Sequence, residues 1–206
     1  MLAVYCGRIV IVGCAAQPFV AYRISSRSFP NRDITVRDGV GSVVPRRGFE
    51  ADLQKNPFIS YRCLRVLGQS VLMTNGSHTD PIAVKVERGM PLKDAVVLGL
   101  LAYDYEGDDY NTPRIAGGLQ GDLGHLGIVT KDTLEVARFA LRPGFCRVVA
   151  TNELNRLTAE EYEVRASTAQ ELVSYVLRGG VFGEMTHPVA AVAWMGGEVA
   201  VENVGG

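Results

Sequence analysis

The segment Tyr22-Arg23-Ile24-Ser25-Ser26-Arg27-Ser28-Phe29-Pro30-Asn31-Arg32 places three arginines and three serines within ten residues. Guanidinium forks beside hydroxyls suit a phosphate or another oxyanion, because Arg engages such groups through paired N–H donors. A solvated loop with surface arginines would look the same in isolation. Asn75-Gly76-Ser77-His78-Thr79-Asp80 stands directly before a helical pattern. Free N–H groups at a helix start, a glycine and two hydroxyls can hold an anion or a carbonyl oxygen. A helix cap with a turn needs the same residues. His78 is an acid–base candidate by residue type. A third cluster, Tyr103-Asp104-Tyr105-Glu106-Gly107-Asp108-Asp109-Tyr110-Asn111-Thr112-Pro113-Arg114, sets carboxylates among aromatics. Desolvation there raises a carboxyl pKa toward the range useful for proton transfer. Asn111 and Arg114 add groups for a carboxamide or a phosphate, while Asp108 and Asp109 read as solvated loop. Thr186-His187-Pro188 reads as a turn.

The elements that must position these clusters are mostly strands. Arg8–Val12 and Phe19–Ile24 are β-branched or aromatic runs separated by Gly13 and Pro18, which predicts a hairpin. Val40–Val44, Arg62–Leu67 and Val71–Thr74 follow, the last two joined by Gly68-Gln69. Val189–Met195 and Glu198–Val204 flank Gly196-Gly197, a two-residue hairpin signal. Helices are fewer. Thr79 or Asp80 caps one that begins at Pro81 and stops at Gly89. Pro91 opens a second, in which Leu92, Ala95, Val96, Gly99 and Leu100 make one buried stripe as far as about Tyr103. Ser167-Thr168-Ala169-Gln170 reads as a capping box before Leu172, Val173, Val176 and Leu177, and Gly179-Gly180 ends that helix. Many short strands with about three helices predict an α+β fold on antiparallel sheet.

The 206 residues fit a single domain, and 47% hydrophobic content is enough for a core. A net charge of −1 provides no global field for nucleic acid or an anionic membrane, so anion binding must come from local arginines. Cys6, Cys14, Cys63 and Cys146 lack disulfide or zinc spacing and read as free thiols. His78, His125 and His187 lack metal-ligand spacing, and no metal site is expected. The start from Met1 to Arg8 lacks signal-peptide features, so a cytoplasmic location is expected. Whether the chain forms a homo-oligomer is open.

Taken in order, Gly7-Arg8, the Tyr22–Arg32 segment, Asn56-Pro57-Phe58-Ile59-Ser60-Tyr61, Asn75–Asp80, Asp104-Tyr105-Glu106, Asn111-Thr112-Pro113-Arg114-Ile115-Ala116 and Thr186-His187-Pro188-Val189 resemble the archaeal IMP cyclohydrolase family. The stretch from about Gly121 to Ser167 carries little of the likeness. The resemblance implies an N-terminal nucleophile hydrolase-like fold, a four-layer αββα sandwich of two antiparallel sheets flanked by helices, working without a freed N-terminal nucleophile. It implies a small purine nucleotide substrate, closure of 5-formamidoimidazole-4-carboxamide ribotide to IMP and water, and no cofactor. Family position and residue type together place Arg23 and Arg27 on the phosphate or carboxamide oxygen. Tyr61 and Glu106 are placed at proton transfer, and Ser25, Ser26, Asn75, Asn111 and Arg114 complete the pocket. Two other readings stand beside it: an amide hydrolase of the related fold using Cys6 or a serine, and a purine-nucleotide-binding protein without catalysis.

Overall fold

Along the first strand, Arg8–Cys14 (β1), Ile9 and Ile11 pack to one side while Val10 and Val12 pack to the other. The second strand, Pro18–Ser25 (β2), does the same with Phe19 and Ala21 against Val20, Tyr22 and Ile24. Both faces are thus apolar, so this sheet must be covered on both sides. The computed structural model, which describes residues 4–205, has it so. Residues Met1–Ala3, on which part of the N-terminal reading rests, lie outside that range.

Onward along the chain come Arg32–Arg37 (β3), Val40–Pro45 (β4), a short helix Asp52–Lys55 (α1), Tyr61–Leu67 (β5) and Ser70–Thr74 (β6). Two helices, Thr79–Glu87 (α2) and Leu92–Tyr103 (α3), lead to Arg114–Gln120 (β7), Leu123–Val129 (β8), Leu134–Ala140 (β9), Phe145–Ala150 (β10) and Tyr162–Glu163 (β11). Helix Ala169–Arg178 (α4) precedes Pro188–Met195 (β12) and Glu198–Asn203 (β13). One sheet runs β11-β10-β1-β2-β12-β13 and the other β3-β4-β5-β6-β7-β8-β9. All neighbouring pairs within them are antiparallel.

Three apolar clusters separate four layers. Val10, Tyr22 and Ile24 meet Tyr61, Met73 and Ile115 between the sheets. Ile9, Ile11 and Phe19 meet Leu172, Val173 and Val176 of α4. Leu72, Ala116 and Val129 meet Ile82 of α2 and Leu92, Val96 and Leu100 of α3. The fold is therefore α+β, with the two antiparallel sheets face to face and helices outside each. No helix among the described residues is long and apolar enough to cross a membrane.

Two details differ from the sequence expectation. Helix α2 begins at Thr79 behind His78, without a side-chain cap: the Thr79 hydroxyl donates to the Gly76 carbonyl at 2.7 Å, and Asp80 accepts from Arg62 and Arg65. The capping box of α4 is shifted by one residue. Thr168 Oγ1 accepts from the Glu171 N–H, and Glu171 accepts from the Ser167 N–H.

Candidate active site

Antiparallel pairing brings alternate strand ends to the same end of the sandwich. The start of β1, the ends of β2 and β10, and the starts of β3, β5 and β7 all meet there. A cavity of about 470 Å³ opens between them. Its wall comprises Arg8, the Ser25–Phe29 turn with Arg32, the short 3-10 turn at Phe58 and Ile59, the loop carrying Glu106 and Asp108, and Thr151 with Asn152.

The arginine-rich turn leaves β2 at Ser25, where the Ser26 N–H donates to the His187 carbonyl and Ser26 Oγ accepts from the Phe29 N–H. Arg32 is buried and donates through Nε to the Phe29 carbonyl. Burial lowers its pKa. Arg27 is exposed, stacked 4.3 Å over the Tyr5 ring. His187 takes a positive φ of 57°, as suits its turn position.

Glu106 is the one deeply buried carboxylate on this wall, 1% exposed. Arg8 grips it with a fork, Nη2 at 3.1 Å from Oε2 and Nη1 at 3.5 Å from Oε1. Arg114 adds a contact at 3.6 Å. Burial pushes the Glu106 carboxyl above its ordinary range, against the opposing pull of Arg8 and Arg114. Burial is the largest single effect on the Arg8 charge and works against it, but Glu106 together with the Tyr61 and Tyr22 phenols outweighs it and keeps Arg8 firmly protonated.

Two side chains hold this loop in shape. Asp108 accepts from the Thr112 N–H at 2.8 Å and from its hydroxyl at 2.5 Å, closing the loop on itself. The Glu106 N–H donates to the Thr112 carbonyl. Asn75, fully buried, accepts from the Ile115 N–H at 2.8 Å and donates to the Pro113 carbonyl at 2.9 Å, which sets Arg114 between them. Gly76 allows the approach: a Cβ there would lie 2.6 Å from Arg114 Nη1 and 3.2 Å from Glu106 Oε1.

The sequence-predicted residues divide. Arg27, Ser25, Ser26 and Glu106 line the cavity. Tyr61 is buried just outside the lining, its hydroxyl 2.7 Å from that of Tyr22, with Arg8 and Arg32 both drawing its pKa down against the larger upward effect of burial. Arg114 braces Glu106, and Asn75 braces Arg114. Asn111 is exposed, at a positive φ of 49°, and lines a more open hollow next door with Thr130–Thr133. Arg23 is elsewhere. It is fully buried on the α4 side of the sheet, donating to the carbonyls of Val176, Leu177, Phe182 and Met185 and to Ser25 Oγ. That guanidinium faces main chain and is not brought to the cavity. Asp108, read as solvated loop, is instead the loop's internal clasp. His78 is buried, its Nε2 donating to the Ile115 carbonyl, and burial holds its pKa at about 3. It is neutral and structural there.

A family model described as IMP cyclohydrolase-like protein matches residues 5–198. The chain belongs to that family. It is similar to the IMP cyclohydrolase of Methanosphaera stadtmanae, 45% identical over 192 residues, covering 92% of this chain and 93% of that one. The IMP cyclohydrolase of Methanocella arvoryzae is 44% identical over 173 residues, covering 82% and 83%. That of Haloquadratum walsbyi is 40% identical over 189 residues, covering 92% and 89%.

In this member of the IMP cyclohydrolase-like family, sequence reasoning assigned no role to Arg8, Arg32, Thr151 or Asn152, all of which line the cavity. Arg8 and Arg32 stood inside recognised motifs, each at the boundary of a strand. Thr151 and Asn152 follow β10, in the stretch without recognisable motifs. Nothing local in the sequence marks Thr151 and Asn152; they join the site through a close approach to Gly7, where an added Cβ would sit 2.4 Å from Thr151 Oγ1.

Proposed function

We propose that the chain closes the second ring of a purine nucleotide, converting 5-formamidoimidazole-4-carboxamide ribotide to IMP and water. The observation that carries this reading is a buried carboxylate, Glu106, clamped by Arg8 and Arg114 on the wall of an arginine-lined cavity. Family membership and relatives named IMP cyclohydrolase support it. A cavity of about 470 Å³ falls within the range of small-ligand sites.

Both reacting groups belong to one molecule, so the protein's task is to hold the formamide rotamer that brings the carboxamide nitrogen to the formyl carbon. Arg27 and Arg32, with the hydroxyls of the Ser25–Ser28 turn, are the groups for the phosphate. Arg8 takes the role first given to Arg23, steadying the formyl or carboxamide oxygen as it gains charge. Glu106 accepts a proton from a reacting N–H, its raised pKa matching it to that exchange. Tyr61 protonates the departing oxygen. The C–O bond breaks, and water leaves carrying two protons that began on the substrate's nitrogens.

The layer arrangement of two antiparallel sheets flanked by helices supports an N-terminal nucleophile hydrolase-like fold. The 206 residues act as one domain, on free nucleotide in the cytoplasm, and the reaction needs no metal or redox group. A thiol nucleophile is disfavoured: Cys6 is wholly buried, and burial pushes its pKa up to about 11. The test is conversion of the ribotide to IMP by purified protein, with Glu106→Gln alongside. IMP binding without turnover would favour the binding-protein reading.

A further inference from the structure

Tyr22 sits on β2 with its side chain in the core between the sheets, where a phenylalanine would satisfy packing alone. Its hydroxyl is buried and reaches across to the opposite sheet, 2.7 Å from the Tyr61 hydroxyl at the start of β5. Each phenol carries one proton, and one of the two oxygens must accept. Arg8 and Arg32 both favour negative charge on the Tyr61 oxygen, and Arg8 favours it on Tyr22 as well. Tyr22 as donor and Tyr61 as acceptor is the order that leaves Tyr61 its own hydrogen for another partner. The Tyr61 proton is then free to point away from Tyr22, on a residue that opens β5 at the cavity end of the sandwich.

We infer that Tyr22 is a positioning residue for ring closure, fixing the Tyr61 hydroxyl rotor and supporting the phenolate left when Tyr61 gives up its proton. This rests on the cyclohydrolase reading above. In the step, the Tyr61 O–H bond breaks as the C–O bond of the cyclised intermediate breaks, and water departs with that proton. The phenolate is held by the Tyr22 hydroxyl and the two guanidinium groups. It regains its proton from the ring N–H through Glu106, so no oxidant or other reactant enters.

The test compares wild type, Tyr22→Phe, Tyr61→Phe and the double variant, each checked for a native melting transition. Tyr22→Phe removes one oxygen and keeps the ring. Losing a hydrogen bond to a developing charge lowers kcat about tenfold to a hundredfold, with KM within about twofold. The basic limb of the pH profile moves upward, because Tyr61 ionises less readily without its donor. The double variant is no slower than Tyr61→Phe alone, since both changes remove one unit. Ultraviolet titration of the Tyr61 phenolate, taken as wild type minus Tyr61→Phe, reads the same upward shift in the Tyr22→Phe background without any turnover. Wild-type kcat with an unmoved basic limb in Tyr22→Phe would overturn the inference, as would additive losses in the double variant. Absence of wild-type turnover would overturn the cyclohydrolase reading itself, and this inference with it.

Discussion

Arg23 and Arg32 are the same residue type nine positions apart, and the pleat gives them different surroundings. Arg23 lies inside β2, between Tyr22 and Ile24, which face the other sheet, so it must face α4. Arg32 opens β3 and turns into the cavity. The strand holding Arg23 was legible in the sequence, but with apolar residues on both of its faces the pattern did not show which face turns to the other sheet and which to α4. Arg23→Met should therefore act on folding: leaving four main-chain carbonyls without their donor costs about 3 kcal/mol or more, read as a lower melting temperature. Arg32→Ala should leave melting less affected and raise KM by about tenfold or more, through loss of a charged contact to phosphate. Normal KM in Arg32→Ala would remove it from the phosphate site. For Glu106, the working form is the carboxylate, so activity falls as pH drops through its raised pKa. The acidic limb should lie above the ordinary carboxylate value of about 4.3. Arg8 pulls that pKa down, so Arg8→Lys, which loses the fork, should move the limb further up. An unmoved limb in kcat/KM profiles would contradict the pairing.

The loop between α3 and β7 is the element on which the site depends. Asn75, at the end of β6, holds its far end, and Asp108 closes its middle. Asn75→Ala should free Arg114 and slacken the grip on Glu106, lowering kcat about tenfold or more and stability by about 1–3 kcal/mol. Substrate or IMP affinity should fall less, because Asn75 touches neither the Ser25–Phe29 turn nor Arg32. Equal losses in binding and kcat, measured by calorimetry and steady-state rates, would assign Asn75 to the substrate instead. Hairpins with punctuation were readable: β5–β6 around Gly68-Gln69 and β12–β13 around Gly196-Gly197 are paired as expected. Strand β7 was not. Its Arg-Ile-Ala-Gly-Gly-Leu-Gln run is almost wholly buried, shows no apolar–polar alternation and carries two glycines, so no strand pattern stands out. The glycines are there because neighbours come close. A Cβ at Gly117 would lie 2.4 Å from Val10 Cγ1, and one at Gly118 would lie 2.2 Å from the Val71 carbonyl oxygen.

At the scale of the molecule, the two sheets are tied together at several points as well as packed. Asn203 of β13 accepts from the Ile34 N–H and donates to the Ile34 carbonyl, joining their edges, and the Tyr22–Tyr61 bond crosses the core. The cavity occupies the end where both sheets turn, so a near-neutral chain can gather Arg8, Arg27 and Arg32 at one place. Neither cross-sheet tie nor cavity could be read from local patterns, because each joins residues far apart in sequence. Acid sensitivity follows from the same packing. His78 is held neutral by burial down to a pKa of about 3, and His125 to about 4, whereas in the unfolded chain both protonate near the ordinary value of about 6.5. The unfolded state thus binds more protons through that window, and stability falls as pH falls below about 6.5. Each such histidine accounts for about 2 kcal/mol between pH 7 and pH 5, and His78→Gln should reduce the loss of melting temperature over that interval. An undiminished loss would place the acid sensitivity elsewhere. The central claim is ring closure, and its most direct measurement is ultraviolet absorbance of the formamido ribotide incubated with chelator-treated protein. Catalytic formation of IMP, abolished or nearly so in Glu106→Gln with IMP affinity retained, is the result expected. No turnover by a folded wild-type protein that binds IMP would contradict it.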